Sequence, residues 1–88
     1  MNHRHRKVLH ALFAHPVSAN IDPKAVHAVF EELGAEVSHT GQGRLGVKLN
    51  GAAHVFHASQ HSLSKDEVVE IRHFLAQAGV EPGRDYPL

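Results

Sequence analysis

An α+β fold, a three-stranded antiparallel sheet with helices packed on one face, is predicted by three observations in this chain. Helical stretches with legible caps flank a run of alternating residues. An Asn50-Gly51 dipeptide sits inside that run, and at 88 residues the chain is long enough for one core and too short for two. The element order is helix, helix, strand, strand, strand, helix (α-α-β-β-β-α), without an internal repeat or a linker long enough to separate domains. A single domain over residues 1–88 is therefore expected.

The first helix is predicted over residues 2–14, where Val8, Leu9, Leu12 and Phe13 cluster on one face, and Pro16 ends it by pushing its predecessor out of the α region. Arg4, Arg6 and Lys7 lie near its N-terminus and oppose the helix macrodipole. They read either as a solvated end or as a basic arm that touches phosphate or an acidic partner. The second helix starts at Asp22 as N-cap with Pro23 at the first helical position. Val26, Val29, Phe30 and Leu33 give it one apolar face, and Gly34 supplies a left-handed stop.

Residues 36–40 alternate weakly around Val37 and read as a short edge strand, followed by a Gly41-Gln42-Gly43 turn. From Arg44 to Leu49 the alternation is clean. Leu45, Val47 and Leu49 share the core face, and Arg44, Gly46 and Lys48 share the other. Asn50-Gly51 suits a type I′ turn, which needs positive φ at both positions, and it pairs Leu49 with Ala52. Val47 then faces His54, Leu45 faces Phe56, and Arg44 faces His57. The outer face thus carries Arg44, Lys48, Val55 and His57.

Ser64 and Glu67 form a capping box at the start of the last helix, with Leu63 and Val68 as its hydrophobic staple. Val68, Ile71, Phe74, Leu75 and Ala78 make the buried stripe, and Gly79 is the C-terminal stop. Residues 82–88 are expected to be extended and mobile.

Composition narrows the function. Nine basic and nine acidic residues balance, so attraction to nucleic acid must come from a local patch rather than from net charge. The absence of cysteine excludes disulfides and thiolate chemistry. No apolar run approaches the ~20 residues of a membrane span. His10 interrupts the short apolar stretch that imitates a signal peptide, so a cytoplasmic location without membrane association is expected. His54, His57 and His61 have a spacing that could serve zinc, but strand-and-loop spacing does not define a tetrahedral site, and no metal or other cofactor is expected. His10, His15, His27, His39 and His73 read as scattered surface residues.

Residues 22–80 resemble the HicA family of toxins, RNA-cleaving partners of HicB antitoxins in bacterial type II toxin–antitoxin modules. The resemblance rests on the capped helix ending in Leu33-Gly34, the Gly-rich approach to the second strand, the third strand ending in histidine, and the closing Gln77-Ala78-Gly79-Val80. It implies a fold similar to double-stranded-RNA-binding domains (dsRBD-like), an N-terminal helical extension over residues 1–19, a core over 22–80 and a tail over 81–88. It also implies an mRNA interferase (endoribonuclease) that binds RNA and is neutralised by a HicB-like antitoxin protein. The family's active histidine follows Gly-Ser at the start of the second strand. Here Gln42-Gly43 precede Arg44. Guanidinium binds phosphate but cannot exchange a proton near neutral pH. In the predicted register His57 lies opposite Arg44, so His57 and Arg44 are the candidate catalytic pair, and Arg44, Lys48, His57 and His61 are the candidate RNA-binding residues. The alternative is a non-catalytic RNA-binding or protein-interaction module on the same scaffold.

Overall fold

The computed structural model describes residues 1–18, 21–41, 43–57 and 62–88. Its elements are α1 (His3–Leu12), α2 (Pro23–Glu32), β1 (Glu36–Gly41), β2 (Arg44–Leu49), β3 (Ala52–His57), α3 (Lys65–Gln77) and a short α4 (Pro82–Asp85). The strands form one antiparallel sheet in the order β1-β2-β3. The fold is α+β with the expected element order, to which α4 is an addition.

Each helix is delimited by its own chemistry. Asn2 caps α1 by accepting the His5 N–H at 2.8 Å. Asp22 caps α2 by accepting the Lys24 N–H at 2.9 Å, with Pro23 beginning the helix. Ser64 and Glu67 complete the capping box of α3 in both directions, at 3.1 and 2.9 Å. The two central helices end alike. In α2 the Ala35 N–H donates to Phe30 O and the Gly34 N–H to Glu31 O; in α3 the Val80 N–H donates to Leu75 O and the Gly79 N–H to Ala76 O. These are Schellman motifs, which satisfy carbonyls that a helix end otherwise leaves without partners.

The hairpin register is set at its tip. Asn50 and Gly51 have φ of 50° and 86°, the backbone that a type I′ turn demands and that a β-carbon ordinarily resists. Behind the turn Leu49 pairs with Ala52, Val47 with His54, Leu45 with Phe56 and Arg44 with His57. Asn50 also ties the hairpin to α3, its Nδ2–H donating to the carbonyl of Ala78 at 2.9 Å. The turn and the last helix therefore hold one another in place.

The inward side chains of β2 and β3, Val47, Leu49 and Phe56, are buried in one cluster with those of α2 and α3, with α3 packed on β3 and α2 on β1. At the centre Phe30 and Phe56 stack with ring centroids 6.0 Å apart, and Phe74 meets both edge-on at 6.3 and 5.6 Å. These are favourable aromatic geometries. α1 packs across α2 and α3 rather than against the sheet. Its Leu9 and Leu12 are fully buried in the same cluster as the strand and helix residues, and His5 Nδ1 donates to Glu32 Oε2 on α2 at 2.8 Å. The residues expected to form an extension thus belong to the one core.

The C-terminal stretch differs from the expected extended tail. Pro82 is buried and opens the four-residue α4, Arg84 pairs with Glu81 and Asp85, and His10 Nε2 donates to Tyr86 O at 2.7 Å. Proline at a first helical position has its φ already set and loses no hydrogen bond, which favours the turn once its ring has apolar surface to cover.

Candidate functional site

The sheet leaves one face uncovered by the helices. β2 supplies Arg44, Gly46 and Lys48 to that face; β3 supplies Ala53, Val55 and His57, and β1 supplies Glu36 and Ser38. Gly46 makes its centre flat, since a β-carbon there would stand 3.2 Å from Ser38 Oγ and 3.4 Å from Thr40 Cγ2. A shallow trough of about 580 Å³ runs over Ser38, Gly46, Lys48 and Val55. Val55 is 51% exposed, an apolar patch in the middle of a polar surface. Arg44 and Lys48 are both exposed, and among the described residues neither forms an ion pair.

Arg44 and His57 are partners across the β2–β3 ladder, close enough for both side chains to reach one bound group. They line a hollow of about 390 Å³ at the free edge of β3, together with Val55, Phe56 and Glu70. Lys48 lies further along β2, opposite Ala53 and Glu36. His61 falls outside the described residues. The structure thus brings Arg44 and His57 together and sets Lys48 along the same face.

Glu70 is the residue that sequence reasoning missed, and its partner is His54, which the sequence offered only as a possible zinc ligand. Glu70 borders the buried stripe of α3, one residue before Ile71 and four before Phe74, and so reaches the edge of β3. His54 points to the helix side of the sheet, its ring centroid 4.6 Å from that of Phe56. Its Nε2–H donates to Glu70 Oε1 at 2.6 Å, fixing one tautomer and ring orientation. The pairing register placed His54 inward, but only the packing of α3 on β3 supplies its carboxylate partner.

A second concavity opens on the helix side of the sheet, at the end away from the Asn50-Gly51 turn. It has a volume of about 160 Å³ and is floored by Phe30, Leu45, Phe56 and Ile71, with Lys24, His27, His39 and His57 at its rim. The rings of His27 and His39 are 6.0 Å apart, so two histidines expected to be scattered are neighbours. His57 therefore borders both this pocket and the hollow it shares with Arg44. Among the described residues no three His, Cys, Asp or Glu side chains are grouped to hold a metal ion, and no helix is long and apolar enough to cross a membrane. The chain matches no protein-family model, no curated protein and no solved structure, so its functional reading rests on the arrangement of its own side chains.

Proposed function

We propose that this protein is a HicA-like toxin that binds RNA across the open face of the sheet and cleaves it at the Arg44–His57 edge. A HicB-like antitoxin would hold it inactive by covering that face. The observation that carries the reading is Arg44 paired with His57 on a flat, uncovered surface that also bears Lys48. Arginine grips a phosphate through two parallel N–H donors, and lysine adds a second point charge for the backbone. In the cleavage step His57 takes the proton from a ribose 2′-hydroxyl as O2′ attacks the adjacent phosphorus. The P–O5′ bond breaks, the leaving O5′ is protonated by water or by the imidazolium, and a 2′,3′-cyclic phosphate remains. Arg44 stabilises the charge that grows on the non-bridging oxygens. The proton transfers need imidazole chemistry and no metal.

Incubation of the purified protein with an end-labelled transcript tests this directly. Wild type cleaves in the presence of a chelator, and His57→Ala binds the transcript without cutting it. Arg44→Ala weakens binding and reduces the salt dependence of the affinity by about 0.7 in log–log slope, the equivalent of one phosphate contact on a single strand. Binding that is sensitive to salt, with no scission by wild type, selects the second reading, a non-catalytic RNA-binding module. Arg44 at the position of the family histidine favours that reading. Absence of any RNA binding overturns both.

A further inference from the structure

We infer that the outer edge of β3 pairs with the β3 of a second copy of this chain, antiparallel about a two-fold axis at Val55, and so joins two three-stranded sheets into one of six strands. The contact is made by strand backbone, and it stands or falls apart from the RNA reading.

Both β1 and β3 are edges of the sheet, and only β1 is guarded. Its register breaks between His39 and Gly41, and it begins with the charged Glu36, two devices that discourage another strand from adding. β3 has no lysine, arginine, acid or proline, and its pairing with β2 is regular from Ala52 to His57. In an antiparallel ladder, residues alternate between bonding to the opposite strand and turning their N–H and C=O away from it. Leu49 and Ala52 bond each other to close the two-residue turn, so by counting it is Ala53, Val55 and His57 that turn outward. No backbone group elsewhere among the described residues bonds to Ala53 or Val55.

The strand itself fits this edge. With Val55 opposite its twin, Ala53 faces the second copy's His57 and His54 faces the second copy's Phe56, so no like charges of fixed sign oppose one another. Val55 is one of two large apolar side chains exposed among the described residues, and its own counterpart covers it. A strand without charge has nothing by which to select a charged partner, whereas a two-fold pairing lets one patch serve both sides. Glu70, the acid that reaches this edge, is already bonded to His54 at 2.6 Å. Arg44 and His57 keep their side chains on the open face, where the second copy's Ala53 is too small to cover them. One strand pair buries less than the roughly 1,200–2,000 Å² of a stable interface, so the dimer is reversible and forms at micromolar concentration.

Sedimentation velocity of the full chain from about 1 µM to about 200 µM tests the pairing. Wild type shifts from monomer to dimer across that range, and Val55→Lys, which sets two lysines against each other at the two-fold axis, remains a monomer. Circular dichroism confirms that the variant folds, since its side chain lies on the open face. Val55→Cys supplies a second measurement, in a chain with no cysteine of its own. Directly opposed Cα atoms ~5.5 Å apart lie within the span of a disulfide, so oxidised glutathione cross-links the Val55→Cys variant to a dimer, while Ser38→Cys, on the β1 side of the same face, cross-links more slowly. A wild type that stays monomeric throughout, or a Val55→Cys variant that cross-links no faster than Ser38→Cys, overturns the pairing and leaves the edge to a strand of a different protein. A dimer that persists in Val55→Lys overturns the assignment to β3.

Discussion

Replacing Asn50 by alanine tests whether the hairpin tip and the last helix are coupled. Two effects add. The left-handed backbone at Asn50, with φ of 50°, costs a residue with a β-carbon ~1–2 kcal/mol, a cost that asparagine partly escapes, so the change to alanine forfeits about 1 kcal/mol. The side-chain donor to Ala78 O at 2.9 Å is half-buried, and its loss contributes about another 1 kcal/mol. The expected loss is therefore about 2 kcal/mol, which for a domain of this size lowers the thermal midpoint by roughly 8–16 °C. Urea and thermal melts followed by circular dichroism measure it. Two companion variants separate the effects. Asn50→Gly keeps the left-handed backbone and loses only the amide, so its loss is about 1 kcal/mol. Asn50→Asp keeps the backbone but turns an acceptor toward the Ala78 carbonyl, and it is less stable than Asn50→Gly. If Asn50→Gly melts with the wild type, the bond to Ala78 contributes nothing and the coupling of turn to helix is refuted.

Ser64→Ala removes one half of the α3 capping box, with an expected loss of about 1 kcal/mol in the same melts. Gly46→Val places a branched side chain at the centre of the open face. Its β-carbon meets Ser38 Oγ at 3.2 Å and Cγ2 of the β-branched Thr40 at 3.4 Å, which must give way, so it costs about 1 kcal/mol in the same melts, and on the proposed reading it lowers affinity for RNA about tenfold, as for one lost contact. Asp85 accepts from the Arg84 guanidinium and from the Glu81 N–H, which hold its carboxyl below the usual aspartate range. A carboxyl depressed in the folded state stabilises it above the unfolded value, and that contribution fades as pH falls through the folded one. The midpoint of the wild type therefore drops more than that of Asp85→Asn between pH 5 and pH 2.5, and parallel curves would contradict the assignment.

Local chemistry made the hairpin legible. Asn50-Gly51 admits few turns other than type I′, and once Leu49 faces Ala52 the pairing of Arg44 with His57 follows by counting. Asp22-Pro23 and Ser64 with Glu67 announced two helix starts because caps are written in adjacent residues. What was not legible depends on packing at long range. Residues 82–88 read as an extended tail until an apolar surface is available to cover the ring of Pro82, so α4 was missed. Glu70 is one exposed acid among several on α3 until that helix lies along β3 and brings it to His54. His27 and His39 sit on different elements, and only the contact of α2 with β1 makes them neighbours. His27 and His39 had no common motif to betray them.

The position of α1 behind α2 and α3 has an electrostatic consequence. Its His3, Arg4 and Lys7 are exposed on the helix whose His5 bonds to Glu32, off the open face that carries Arg44 and Lys48. A chain with zero formal net charge thus carries basic residues on two surfaces, and reversing the charge of Arg4 and Lys7 lowers the net charge by four while leaving every charge on the sheet in place.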